Sequence, residues 1–201
     1  MNFLAHLFLS GNDLDVMVGN FIGDFVRGRD LREKLGPGIA RGVELHRAID
    51  EFTDRHLIVK QSKTRLWSKY RHYSSVIVDI YYDHFLAAQW KSYSPEPLEE
   101  FATRTYQLLV DRDTVLPDRV KQMLPYMMRG NWLLNYANVE GIHQALSGMS
   151  RRATYESKME EAVEDLKEYY ANFESEFKVF FPELQSFSNT WLASNRDQAL
   201  T

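Results

Sequence analysis

Cysteine is absent from the 201-residue chain, which excludes a disulfide framework and any thiolate-bound metal. A metal ion here must be held by His, Asp or Glu. Proline is scarce, at six residues, and Gly and Pro fall between segments rather than in hairpin-type turns. No run of about 18 apolar residues occurs, so no membrane span is expected. The opening "MNFLAHLFLS" is apolar but lacks a basic leader, contains His6 and runs straight into Asp13 and Asp15. It therefore does not read as a cleaved signal. Internal repeats, low-complexity tracts and domain linkers are also missing.

What remains is ordinary for a soluble globular protein, with 44% hydrophobic and 26% charged residues. A chain of this length suits one domain over 1–201 with a substantial core. Nearly every segment shows helical periodicity, so the expected fold is all-α, a single-domain helical bundle. Helices are expected over 2–10, from Asp13 as N-cap to near Gly28, and from Pro37 at a first helical position to about His56. Further helices are expected over 58–70, 74–92, 96–111 behind a Ser94 cap, 117–129, 132–149 with Gly141 as a break, and 153–196 divided at Pro182.

The net charge is −4, yet residues 27–71 carry twelve Arg/Lys against six Asp/Glu, while 151–201 carry six against ten. The first region suits an anionic partner. A nucleic-acid role is not expected, because the chain is net acidic and the basic segment has no recognition-helix or RNA-binding signature.

Several ionisable residues sit where a helix should be apolar. In "VDIYYDHFL" (78–86), Asp79 and Asp83 are four apart and so share one side of a helix, with His84 adjacent. Buried carboxylates cost several kcal/mol each, of order 3–5 when a partner is missing, unless a cation, a hydrogen-bond network or a metal satisfies them. In "ELHRAIDEFTD" (44–54), His46, Asp50 and Asp54 recur at the same spacing, and His46 with Asp50 offers one nitrogen and one oxygen. Asp24 lies among Phe21, Ile22, Phe25 and Val26, and His6 among aliphatic neighbours. His6, Asp24, His46, Asp50, Asp79, Asp83 and His84 thus form a set of ligands or supporting partners drawn from four expected helices, the pattern of a bundle-core metal site. Imidazole and carboxylate without sulfur suit Mn²⁺, Fe²⁺, Mg²⁺ or Zn²⁺. The natural chemistry for such an ion is phosphoester hydrolysis, with nearby arginines neutralising the phosphate.

The motifs "MNFLAHL" (1–7), "DFVRG" (24–28), "HRAID" (46–50) and Asp79 with "DHFL" (83–86) together resemble the acyl-carrier-protein phosphodiesterase family, an unusual branch of the HD-type phosphohydrolases. The resemblance implies an HD-like, manganese-dependent enzyme that hydrolyses the 4′-phosphopantetheine arm from the serine of holo acyl carrier protein, in the cytoplasm. Mg²⁺ and Fe²⁺ are the alternative ions. The sequence departs from the usual adjacent His-Asp signature: the adjacent pair is reversed as Asp83 and His84, and three residues separate His46 from Asp50.

The combined expectation assigns Asp24, His46, Asp50, Asp79 and Asp83 to the metal, and His6 and His84 to proton transfer or water orientation. Arg27 and Arg47 are assigned to the phosphate. The basic segment is expected to steer the small, acidic carrier protein. Two rival readings share these observations: an HD-like phosphohydrolase acting on a nucleotide or small phosphoester, and a non-catalytic helical module that binds the carrier protein through its basic face alone.

Overall fold

The computed structural model describes residues 1–195, and every regular element among them is helical. Twelve α-helices follow in order: α1 (Phe3–Phe8), α2 (Leu14–Ile22), α3 (Leu31–Leu35), α4 (Pro37–Arg55), α5 (Leu57–Tyr70), α6 (Ser74–Ala88), α7 (Leu98–Asp111), α8 (Asp118–Arg129), α9 (Trp132–Asn135), α10 (Val139–Ser150), α11 (Ala162–Glu168) and α12 (Tyr170–Ser194). One cluster of buried apolar side chains runs through them.

Helix α6 is apolar on almost every face, with Ile77, Val78, Ile80, Tyr81, Tyr82, Phe85 and Leu86 all buried, as its all-round hydrophobicity requires. It forms the centre of the bundle. Helix α12 packs on it through Phe173, Phe177 and Phe180, each fully buried, and full burial of such a side chain stabilises by roughly 1.5–3 kcal/mol.

Local signals place most boundaries. Asp13 caps α2 by accepting from the amides of Asp15 and Val16, and Pro37 occupies the first turn of α4. Gly36 adopts φ +78° at the junction of α3 and α4, a conformation closed to most side chains.

Four expectations are corrected. Helix α2 stops at Ile22 and gives way to a 3₁₀ turn over Gly23–Phe25 and a loop, so Asp24 stands on a turn instead of a helix face. Ser94 accepts from the Glu96 amide inside the preceding turn, and Pro97 takes the N-cap position of α7. The break in 132–149 falls at Tyr136–Asn138, between α9 and α10, because Gly141 is packed against the Asn135 carbonyl inside the helix pair. Pro182 lies within an unbroken α12, and the division falls at Tyr169 instead. Apolar packing on both sides of Pro182, by Phe180, Phe181 and Leu184, carries that helix past its missing amide. The expected end at residue 196 lies outside the described residues.

The closest helix pair is α2 with α4, and glycine makes it so. A Cβ on Gly19 would lie 2.0 Å from the Ile39 carbonyl oxygen, and one on Gly42 would lie 2.2 Å from the Val16 carbonyl oxygen. Backbone-to-backbone approach at this crossing sets the positions of Asn20 on α2 and of His46 and Asp50 further along α4.

Candidate metal centre

The side chains of His6, His46 and Asp50 converge. Their ligand atoms all lie within 4.8 Å of one another. His46 Nε2 is 3.2 Å from Asp50 Oδ2, and His6 Nε2 is 3.3 Å from Asp50 Oδ1, so each carboxylate oxygen faces one imidazole. The two rings stack at 3.9 Å between centroids with 17° between planes. Gly23 makes room for this: a Cβ there would sit 2.2 Å from His46 Cγ.

Both histidines are tied at Nδ1. His46 Nδ1 donates to the Asn20 main-chain carbonyl at 2.8 Å, and His6 Nδ1 lies 2.8 Å from Asn20 Oδ1. Their Nε2 atoms point together, and His6 Nε2 is buried with no hydrogen-bond partner among the described residues. Two imidazole nitrogens, one of them orphaned, around a carboxylate at just over 3 Å is the spacing of neighbouring ligands around one first-row cation with bonds of about 2.1 Å. The group therefore fits a divalent metal ion.

Asp24 borders the group from the 3₁₀ turn, with Oδ1 3.2 Å from His46 Nε2 and its side chain 71% exposed. Asp50 is 42% exposed, so the centre opens to solvent on the side shared by these two carboxylates. The loop after Asp24 carries Arg27 and Arg29, both exposed. Arg47, also exposed, reaches back to the Val26 and Gly28 carbonyls and tethers this loop to α4.

The electrostatics match this arrangement. Burial disfavours the His46 imidazolium, but the hydrogen bonds it donates to Asp24 and Asp50 override it and push the group up to about 9. Burial likewise works against ionised Asp50, but the hydrogen bond it accepts from His46 and the neighbouring His6 ring still hold the carboxyl well below the usual range. Asp24 is lowered by its hydrogen bond to His46, whereas burial lowers His6.

A stability prediction follows for the metal-free chain. Because the folded value of His46 lies above its unfolded value, its stabilisation is complete below about pH 6.5 and is lost as pH rises through about 9. Depressed Asp50 and Asp24 give the opposite limb, with stabilisation lost as pH falls below the ordinary carboxylate range. Thermal melts in chelator are expected to show a declining midpoint between pH 7 and 9.5, and His46→Gln is expected to lack that decline. An equal decline in the variant removes His46 as its source.

The other expected site residues have other partners. Asp79 accepts from the Met1 ammonium at 3.0 Å. Fully buried Asp83 accepts from the backbone amides of Asn2 at 3.1 Å and Leu4 at 2.8 Å, binding the first turn of α1 to α6, and burial raises it to about 7. His84 donates from Nδ1 to the Tyr136 carbonyl at 2.8 Å and accepts at Nε2 from the Tyr170 hydroxyl at 3.0 Å. These three residues fix α1, α9 and α12 on the central helix and stand outside the converging group. Asp54 pairs with Lys63 at 2.7 Å. His6, expected as a proton carrier, stands among the ligand atoms.

A family model described as acyl carrier protein phosphodiesterase matches residues 1–184. The chain belongs to the acyl carrier protein phosphodiesterase family. Among its relatives, the acyl carrier protein phosphodiesterase of Photorhabdus laumondii is 31% identical over 183 residues, covering 90% of this chain and 92% of that one. Those of Escherichia coli O157:H7 and of Escherichia coli K12 are each 32% identical over 190 residues, covering 92% of this chain and 96% of theirs. No solved structure matches. In this member of the acyl carrier protein phosphodiesterase family, His46 and Asp50 offer a nitrogen and an oxygen from α4, and His6 offers a second nitrogen from the first helix.

Sequence reasoning missed Asn20. It is fully buried and touches both histidines, His6 through its side chain and His46 through its main-chain carbonyl. The available signal was the one that drew attention to Asp24: a polar residue inside the apolar stretch "VMVGNFI".

Proposed function

We propose that this chain hydrolyses the phosphodiester that joins 4′-phosphopantetheine to the serine of holo acyl carrier protein, releasing the apo form, with a divalent cation as cofactor. The observation that carries this reading is the convergence of His6 Nε2, His46 Nε2 and the Asp50 carboxylate on one open-sided point, in a chain whose relatives bear that enzyme's name. Mn²⁺ is the first choice of ion, and Mg²⁺ or Fe²⁺ suit the same donors. In this reading residues 1–201 act as one HD-like domain in the cytoplasm, where the substrate resides.

His6, His46 and Asp50 would hold the cation, which supplies Lewis-acid polarisation of a phosphoryl oxygen and an acidified water. Asp24, on the solvent side, takes the proton from the water that adds to phosphorus. As the P–O bond to serine breaks, Asp24 passes that proton to the departing serine oxygen. Arg27 balances charge on the phosphate, and Arg47 holds the loop that carries Arg27.

Beyond the reacting atoms, the exposed cations Arg29 and Lys34, close in sequence to Asp24 and Arg27, suit the acidic surface of a carrier protein. The double variant Arg29→Glu/Lys34→Glu is expected to raise KM for holo acyl carrier protein about tenfold at low salt and to flatten its salt dependence, a shift of ~1.4 kcal/mol. Its kcat is expected to stay within about twofold, because docking changes association more than chemistry. An unchanged KM removes these residues from the docking surface.

The direct test of the function is intact-mass analysis of holo acyl carrier protein after incubation with purified protein and Mn²⁺. Loss of the prosthetic arm, abolished by chelator, is expected. An unchanged mass with protein that demonstrably holds its metal contradicts the proposal.

A further inference from the structure

Asn20 is where two independent constraints on the centre meet. Its side-chain amide is oriented by its surroundings. Ser10 Oγ donates its only proton to the His6 carbonyl at 2.8 Å, so towards Asn20, 3.0 Å away, it can act only as an acceptor. The His6 carbonyl, 2.7 Å from the same Asn20 nitrogen, is also an acceptor. Both contacts demand N–H groups, which fixes Asn20 Nδ2 on that side and Oδ1 on the other. Oδ1 then faces His6 Nδ1 at 2.8 Å and can only accept, so His6 Nδ1 carries a proton. The Asn20 main-chain carbonyl imposes the same condition on His46 Nδ1 at 2.8 Å.

We propose that Asn20 is a positioning residue that locks both imidazoles of the centre in the Nδ1–H form, its side chain acting on His6 and its backbone on His46, so that each ring presents an Nε2 lone pair beside Asp50. The burial of Asn20, complete to 0% exposure, keeps water from competing for these contacts. The proposal rests on the cation reading above and extends it to a residue that touches neither metal nor substrate. It also divides the two functions of Asn20: side-chain replacement should release His6 and leave His46 held.

The experiment uses full-length, metal-free protein with ¹⁵N-labelled histidine. Long-range ¹H–¹⁵N spectra, recorded at a pH where both rings are neutral, report which nitrogen bears the proton. In the wild type, His6 and His46 are both expected as Nδ1–H. In Asn20→Leu, His6 is expected to shift towards Nε2–H while His46 is unchanged. Asn20→Asp keeps an oxygen opposite His6 Nδ1 and is expected to retain the Nδ1–H form of His6, even though both variants lower the melting temperature.

Mn²⁺ titration followed by electron paramagnetic resonance gives the second measurement. Asn20→Leu is expected to bind about 10–100-fold more weakly, and Asn20→Asp within about threefold of wild type. A loss of stability alone would move the two variants together. An Nε2–H His6 in the wild type, or a His6 tautomer unchanged in Asn20→Leu, overturns the proposal. The wild-type spectrum decides even if the leucine variant fails to fold. Absence of Mn²⁺ binding by the wild type would strike the cation reading instead, and the tautomer measurement would still judge Asn20.

Discussion

Asp50→Asn is expected to lower kcat for release of the prosthetic arm by about 10³-fold, equivalent to ~4 kcal/mol of transition-state stabilisation, with a native helical circular dichroism spectrum. The reason is its position. Among the carboxylates described, Asp50 reaches both histidines, one oxygen to each, and in the proposed centre it would bring the negative charge that a divalent cation needs beside two neutral imidazoles. Asparagine keeps the shape and removes the charge, so metal affinity should fall with the rate. Its side chain is partly exposed, and the loss of an ion pair with His46 should cost less stability than activity. Turnover within tenfold of wild type, measured at saturating Mn²⁺, would remove Asp50 from the centre.

The second large effect lies in the framework. Gly42→Ala places a methyl group 2.2 Å from the Val16 carbonyl oxygen and 2.7 Å from both the Asn20 nitrogen and Gly19 Cα, all backbone atoms that no rotamer change can move. Helices α2 and α4 must separate. Overpacking of this kind costs typically 1–3 kcal/mol and more where backbone must shift, so a loss of about 3 kcal/mol and a fall in Tm of roughly 6–12 °C are expected. Because α2 carries Asn20 and α4 carries His46 and Asp50, Mn²⁺ affinity should fall as well. Gly148→Ala provides the control. Its Cβ meets nothing within 4 Å inside α10, and it should be neutral or stabilising by up to about 1 kcal/mol. Equal melting temperatures for the two variants would show that the α2–α4 crossing tolerates a methyl group.

Comparison of sequence and structure separates local from distant information. His46 and Asp50 were legible because both their partnership and their helix lie within one turn. Asp79 and Asp83 obeyed the same spacing, and the inference that something must satisfy them was sound. Their partners are the Met1 ammonium and the first amides of α1, roughly eighty positions away in the chain, and periodicity does not report which element lies opposite a helix face. An aspartate that caps another helix leaves no local pattern to distinguish it from a metal ligand. The partners of His84 were hidden for the same reason, since they come from Tyr136 and α12.

The all-helical class was plain from periodicity, and the boundaries that failed were those decided by packing. Pro182 signals a break wherever the helix stands alone, yet Phe173, Phe177 and Phe180 anchored on α6, with Phe181 packed on Phe8 and Tyr93, hold α12 continuous. Asn20 was passed over because asparagine carries no charge and invites no electrostatic question, although its burial raised the same one that Asp24 did.

The most direct test of the central claim is anomalous scattering from Mn²⁺-soaked crystals, recorded on both sides of the manganese edge. The account predicts one strong peak within bonding distance of His6 Nε2, His46 Nε2 and an Asp50 oxygen. A fully occupied peak elsewhere, with these three side chains free of it, would contradict the account.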